Sequence, residues 1–220
     1  QPAHPEYSVG HGRSIPDAEC EAMLAEVMAK AEDVGLTRHT IRRSWLAAPA
    51  FGVEYGFDRY PLLRGQVTGS RDGKPLAPLL GTIKGYDGGT TDWHLGPFTF
   101  ALAYCDHVVV YRFGPRGLRE TDCEISWLVR EDAVEGRDYR LDQLTWLWDV
   151  TTIADKAIIE RNQAGVDSRY YAPGPLSPSM ETFTQQFIAW YVSAMRRATG
   201  GGLPGRRPVA TIRKSAEGHS

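Results

Sequence analysis

The feature that most constrains the fold is a change of period along the chain. From about 37 to 130 the sequence runs in short stretches of Val, Ile, Tyr, Phe, Trp and Thr, broken by Gly, Pro and Asp, the signature of consecutive strands. From 138 to about 166 the apolar residues Leu141, Leu144, Leu147, Trp148, Ile153, Ile158 and Ile159 recur at helical spacing instead. Strands joined by tight turns and followed by a long amphipathic helix imply an α+β domain, an antiparallel sheet with the helix packed on it.

The remaining segments fit around that frame. Residues 1–16 carry His4, His11, three prolines and two glycines and read as loop. Asp17 can cap a helix with Cys20, Met23, Leu24, Val27 and Met28 on one side and Gly35 as its stop. Arg71-Asp72-Gly73-Lys74 reads as a hairpin turn and Tyr86-Asp87-Gly88-Gly89 as another. The expected strands are 93–104, 108–113 and 122–129, with the Gly114-Pro115 break between the last two. The β-branched run Val150-Thr151-Thr152-Ile153 loosens the middle of the long helix. A second helix is expected over 179–198, after the Pro173-Gly174-Pro175 loop. Residues 199–220 read as a disordered basic tail.

With 25 Lys and Arg against 27 Asp and Glu, the chain lacks the broad basic surface that nucleic acid requires. No apolar run approaches the roughly 20 residues of a membrane helix, so no membrane partner is expected. Three cysteines, Cys20, Cys105 and Cys123, form no disulfide framework and suit a reducing, cytoplasmic setting. No nucleophile elbow, phosphate-binding loop or dinucleotide fingerprint is found, which sets aside hydrolase, NTPase and Rossmann readings. Cys105-Asp106-His107 followed by Cys123 and Ser126 imitates the spacing of a two-iron cluster that takes two cysteines and two histidines. Serine replaces the second histidine, and the better reading is two buried thiols on strands.

On a helix, Asp155, Ile158, Ile159 and Asn162 share a face with Trp148 one heptad earlier. A carboxylate on such a face is costly to bury unless it is paired or binds a metal. Taken alone, Asp155 reads as an ion-pair partner or an exposed side chain, and His4 as a loop histidine.

The segment Asp155-Lys-Ala-Ile-Ile-Glu160-Arg-Asn162-Gln-Ala-Gly165-Val-Asp-Ser-Arg-Tyr-Tyr171-Ala-Pro-Gly-Pro175 closely resembles the end of the catalytic domain in Rieske-type ring-hydroxylating oxygenase large subunits. So do Tyr104-Cys-Asp-His107-Val-Val-Val-Tyr-Arg-Phe113 and Glu135-Gly-Arg-Asp-Tyr139. The resemblance implies a helix-grip, START-like catalytic domain over 1–198. It also implies a mononuclear non-haem Fe(II) held by two histidines and a carboxylate.

Asp155 falls at the carboxylate position, and Ala3-His4-Pro5-Glu6-Tyr7 matches the second half of the histidine motif, so His4 becomes the second histidine. The first would lie upstream of Gln1, as would the Rieske domain with its 2Fe-2S cluster, and the 220-residue chain by itself is expected to show no turnover. Asn162 is implied as an amide near the site, and the substrate pocket is expected to draw on strand 93–104. By the same resemblance, electrons come from NAD(P)H through a reductase or ferredoxin, the assembly is a homotrimer, and O2 attacks a small organic or aromatic substrate. Hydroxylation, dihydroxylation and demethylation all stay open. The alternative is a metal-free module of the same fold that encloses a hydrophobic ligand.

Overall fold

The computed structural model describes residues 16–36, 55–177 and 181–200. The chain divides into two units, 1–175 and 176–220. The first holds helix α1 (Asp17–Ala31), strands β1 (Tyr55–Pro61), β2 (Gly89–Leu95), β3 (Thr99–Ala103), β4 (Val108–Pro115) and β5 (Thr121–Leu128), and helix α2 (Leu141–Val166). The second holds α3 (Thr182–Ala198), along which Phe187 stacks on Tyr191 and lies against Trp190. Among the described residues no helix is long and apolar enough to cross a membrane.

The five strands form one antiparallel meander in the order β1-β2-β3-β4-β5. Register sorts the side chains by face: Phe100 lies opposite Tyr111, which lies opposite Ile125, and Leu102 opposite Val109, which lies opposite Trp127. Alternation puts all of these on one face together with Phe113. Against that face α2 lays Leu147 and Trp148, and together with Leu62 and Tyr104 they form the core of the unit. The expected α+β architecture, a sheet with a long helix upon it, is therefore the one observed.

Three local expectations need correction. The long strand at 93–104 is two strands, because Gly96 adopts a left-handed φ of 67° and Pro97 has no N–H to give a neighbour, so the chain turns back between β2 and β3. The Arg71–Lys74 turn is real, with Asp72 accepting from the Lys74 N–H at 3.2 Å, yet it sits inside an irregular connection rather than between paired strands. The β-branched run does not loosen α2, which is continuous over 26 residues. At α1, Pro16 takes the cap position and Asp17 opens the helix, while Met23, Val27 and Ala31 are buried at successive turns. Gly35 ends that segment as expected, with the Leu36 N–H bonded to the Ala31 carbonyl at 2.7 Å.

The β3–β4 connection is fixed from beneath. Asp106 and His107 are wholly buried, and the Asp106 carboxylate accepts from Thr68 Oγ1 at 2.5 Å, from the Leu76 N–H at 2.9 Å and from Tyr86 at 3.5 Å. His107 Nδ1 lies 2.8 Å from the same carboxylate, and its ring stacks on Tyr104. Gly69 passes so close beneath Tyr104 that a Cβ there would lie 2.3 Å from the ring. Beside this cluster, Arg59 of β1 is ion-paired with buried Asp87 and donates to Thr91 across the β1–β2 ladder.

Candidate functional site

The side of α2 that carries Trp148 and Asp155 descends onto β4. Trp148 meets the Tyr111 ring edge-on, with centroids 6.1 Å apart. One turn later the hydroxyls of Thr152 and Tyr111 lie 2.7 Å apart and share a hydrogen bond. Three residues further stands Asp155, half-buried. Burial pushes the Tyr111 phenol up to about 12, and the charges of Cys123, Asp155 and Asp149 push the same way, against the hydrogen bond from Thr152. Asp155 is thus within electrostatic reach of the sheet face that carries Tyr111.

Beyond Asp155 the expected apolar face does not stay covered. Ile158 and Ile159 are exposed, the latter by 64%, and Asn162 is exposed as well. The reason is geometric: a helix of 26 residues is roughly 39 Å long, whereas the eight-residue strand β5 spans only about 26 Å, so α2 outruns its sheet. Its far end is tied down differently. Arg119, in the β4–β5 turn, is ion-paired with Asp167 at the helix end, and Gln163 donates to the same carboxylate at 3.1 Å. The hydrogen bonds from Arg119 and Gln163 hold the Asp167 carboxyl below its ordinary range. Asp155 therefore lies between two anchored stretches of helix.

Of the expected strand lining, Phe100 and Leu102 face α2, whereas Trp93 pairs with Ala101 on the opposite face and is exposed. A cavity of about 280 Å³ lies elsewhere, between α1 and the segment after β1, bordered by Met23, Val27, Leu62, Arg64 and Tyr86; no residue of α2 lines it.

The two cysteines of the imitated cluster do not meet. Cys105 is buried in the β3–β4 connection, where its thiol donates to Asp87 at 3.6 Å and burial raises it to about 11. Cys123 pairs with Phe113, five residues along β4 from Val108, roughly 17 Å away. Cys123 is also exposed, so the reading of two buried thiols holds only for Cys105. Alternation on β5 turns Cys123 to the same face as Ile125, but near the strand end, where cover runs out.

Of the expected iron ligands, Asp155 is described and His4 lies outside the described residues, as do His11 and His39. Among the described residues no group of three His, Cys, Asp or Glu side chains comes together that could hold a metal. The carboxylate itself suits a hard divalent cation: it is partly sheltered from water and sits on a continuous helix. Tyr111 belongs to a segment that the resemblance covers, yet sequence reasoning gives it no role. Its signal is the alternation Val109, Tyr111, Phe113, which turns a phenol toward whatever covers the sheet.

An antiparallel meander with one long helix packed on its face, and a half-buried aspartate on that helix, defines a class of sheet-and-helix domains. The family model for the ring hydroxylating alpha subunit (catalytic domain) matches residues 37–197, which include Asp155 but not His4. Glycine betaine monooxygenase oxygenase subunits from two strains of Pseudomonas aeruginosa are each 37% identical over 166 residues, covering 74% of this chain and 38% of the relative. The corresponding subunit of Chromohalobacter salexigens is 35% identical over 150 residues, covering 68% of this chain and 34% of its own length. The chain belongs to the ring-hydroxylating alpha-subunit catalytic-domain family, and spans a little over a third of the curated relatives it matches.

Proposed function

We propose that this chain supplies the catalytic domain of a non-haem iron oxygenase. The observation that carries the proposal is Asp155: within the family match, on the sheet-facing side of α2, half-buried beside Tyr111. Asp155 and His4 would hold Fe(II) together with a further histidine, and Asn162 lies two turns along the same helix. When bound, Fe(II) supplies the activation of O2. The protein's own part is to hold the carboxylate on a fixed helix above the apolar sheet face of Phe100, Phe113 and Ile125, which would limit water there.

The names of the relatives favour monooxygenation among the three outcomes, and make glycine betaine the first substrate to try. The rest of the reading is proposed with it: a 2Fe-2S cluster carried outside residues 1–220, electrons from NAD(P)H through a reductase or ferredoxin, and a homotrimer. Residues 1–198 would be the working domain and 199–220 a tail.

The test is product formation by the iron-loaded oxygenase in which this chain is joined to the segment carrying the further histidine and the 2Fe-2S cluster, with its electron donor, O2 and glycine betaine, against the same mixture with Asp155→Ala. Loss of both bound iron and product in the variant is the expected result. Undiminished turnover by Asp155→Ala would overturn the assignment. Iron-independent binding of hydrophobic ligands, without turnover, would return the metal-free binding module.

A further inference from the structure

We infer that Tyr111 is a positioning residue for the Asp155 carboxylate, acting through Thr152; this rests on the reading of Asp155 as an iron ligand. Tyr111 stands on β4, one strand in from the sheet edge, and is 5% exposed, so its ring is immobilised by packing between Phe100, Phe113 and Trp148. Its hydroxyl is a polar point on a largely apolar sheet face under the helix. That hydroxyl lies 2.7 Å from Thr152 Oγ1 and 3.5 Å from the Trp148 carbonyl.

The pairing of those two contacts is informative. A threonine inside a helix ordinarily bonds back to the carbonyl four residues earlier, which for Thr152 is Trp148. The phenol lies across both groups and ties this turn of helix to the sheet. Thr152 precedes Asp155 by three residues, so the two side chains share a side of α2, with a rise of roughly 4.5 Å between them. Fixing Thr152 fixes the height and the rotation at which Asp155 leaves the helix. Past Asp155 the described part of α2 is largely exposed up to the Arg119–Asp167 pair, so the turn that Tyr111 holds is the anchored stretch nearest the carboxylate.

The experiment uses the iron-loaded protein and the variants Tyr111→Phe, Thr152→Val, Thr152→Ser, the Tyr111→Phe/Thr152→Val double and Asp155→Asn. Three quantities are read: Fe(II) affinity by competition with a chromophoric chelator, the visible spectrum of the Co(II)-substituted protein, and the thermal midpoint without metal. Removing a group that orients a metal ligand commonly weakens binding by about 10-fold or more, and here, one step removed, roughly three- to tenfold is expected for Tyr111→Phe and Thr152→Val. Both should shift the Co(II) spectrum, Thr152→Ser should stay close to the parent, and the double variant should be no worse than either single one. Unchanged affinity and spectrum in both single variants, even with a lowered midpoint, would show a merely structural bond and overturn the inference, as would additive losses in the double variant. If Tyr111→Phe does not fold, the Thr152 pair decides alone. Asp155→Asn separates the two claims: retention of parental Fe(II) affinity there refutes the ligand assignment itself.

Discussion

Replacing Asp106 with alanine should cost more stability than any surface change in the molecule. The carboxylate is fully buried and takes hydrogen bonds from Thr68, Leu76 N–H and Tyr86 while facing His107 Nδ1. Thr68 and Tyr86 can turn their hydroxyls elsewhere, but the Leu76 amide and the imidazole are held by backbone and by stacking. Each buried donor left without an acceptor costs about 1–3 kcal/mol, so Asp106→Ala should lose roughly 3–5 kcal/mol. In a unit of this size that is a fall of about 6–20 °C in thermal midpoint.

Asp106→Asn keeps the shape and one acceptor oxygen and should lose less than half as much. The pH dependence follows from the same contacts. Burial opposes ionisation, but His107, Leu76 and Thr68 outweigh it and hold the Asp106 carboxyl below its ordinary value. A depressed folded-state value means the contribution is complete above the unfolded-state pKa of about 4 and is lost as pH falls through the folded one. The gap between parent and Asp106→Asn in chemical denaturation should therefore be constant near neutrality and close below about pH 4. A loss under about 1 kcal/mol for Asp106→Ala, or a gap that widens in acid, would refute this account of the cluster.

Other outcomes follow from burial and exposure. Leu147→Ala, in the core under α2, should cost about 2–5 kcal/mol in denaturant titration, whereas Ile159→Ala, 64% exposed, should fall within about 0.5 kcal/mol of the parent. Arg119→Ala should leave global stability nearly unchanged but speed amide exchange in the last turn of α2, and high salt, by screening the pair in the parent, should narrow the difference between the two. Alkylation of the native protein near pH 8 should modify exposed Cys123 and spare Cys105, whose thiol is buried and raised to about 11; equal labelling by peptide mass spectrometry would contradict that placement.

What the sequence made legible is what depends on local periodicity. The apolar spacing of Leu144, Leu147 and Trp148 identifies the packed face of α2, and the alternation through Val109, Tyr111 and Phe113 identifies the strand beneath it. The division of 93–104 into two strands turns on the single Gly96-Pro97 pair within an otherwise continuous β-rich run, where the break outweighs propensity. Exposure was the harder quantity. Ile158 and Ile159 keep the helical rhythm of a buried face, but rhythm cannot tell where the sheet below ends, and Cys123 is exposed for the same reason. The Tyr111–Thr152 bond joins residues 41 apart, and nothing local in either segment announces the other. Asp155 stood out only through resemblance, since one carboxylate on a helix is chemically ambiguous.

The meander also has a bearing on the order in which the chain acquires its site. Every strand pairs with its neighbour in sequence, and the connections from β2 through β5 are short, so that part of the sheet can assemble by short loop closures as the chain is made, with β1 added across the longer 62–88 connection. α2 follows all five strands, and only its docking brings Asp155 to the sheet. The carboxylate is thus among the last groups to reach its place, and a local detachment of the helix can dismantle the site while the sheet beneath stays folded.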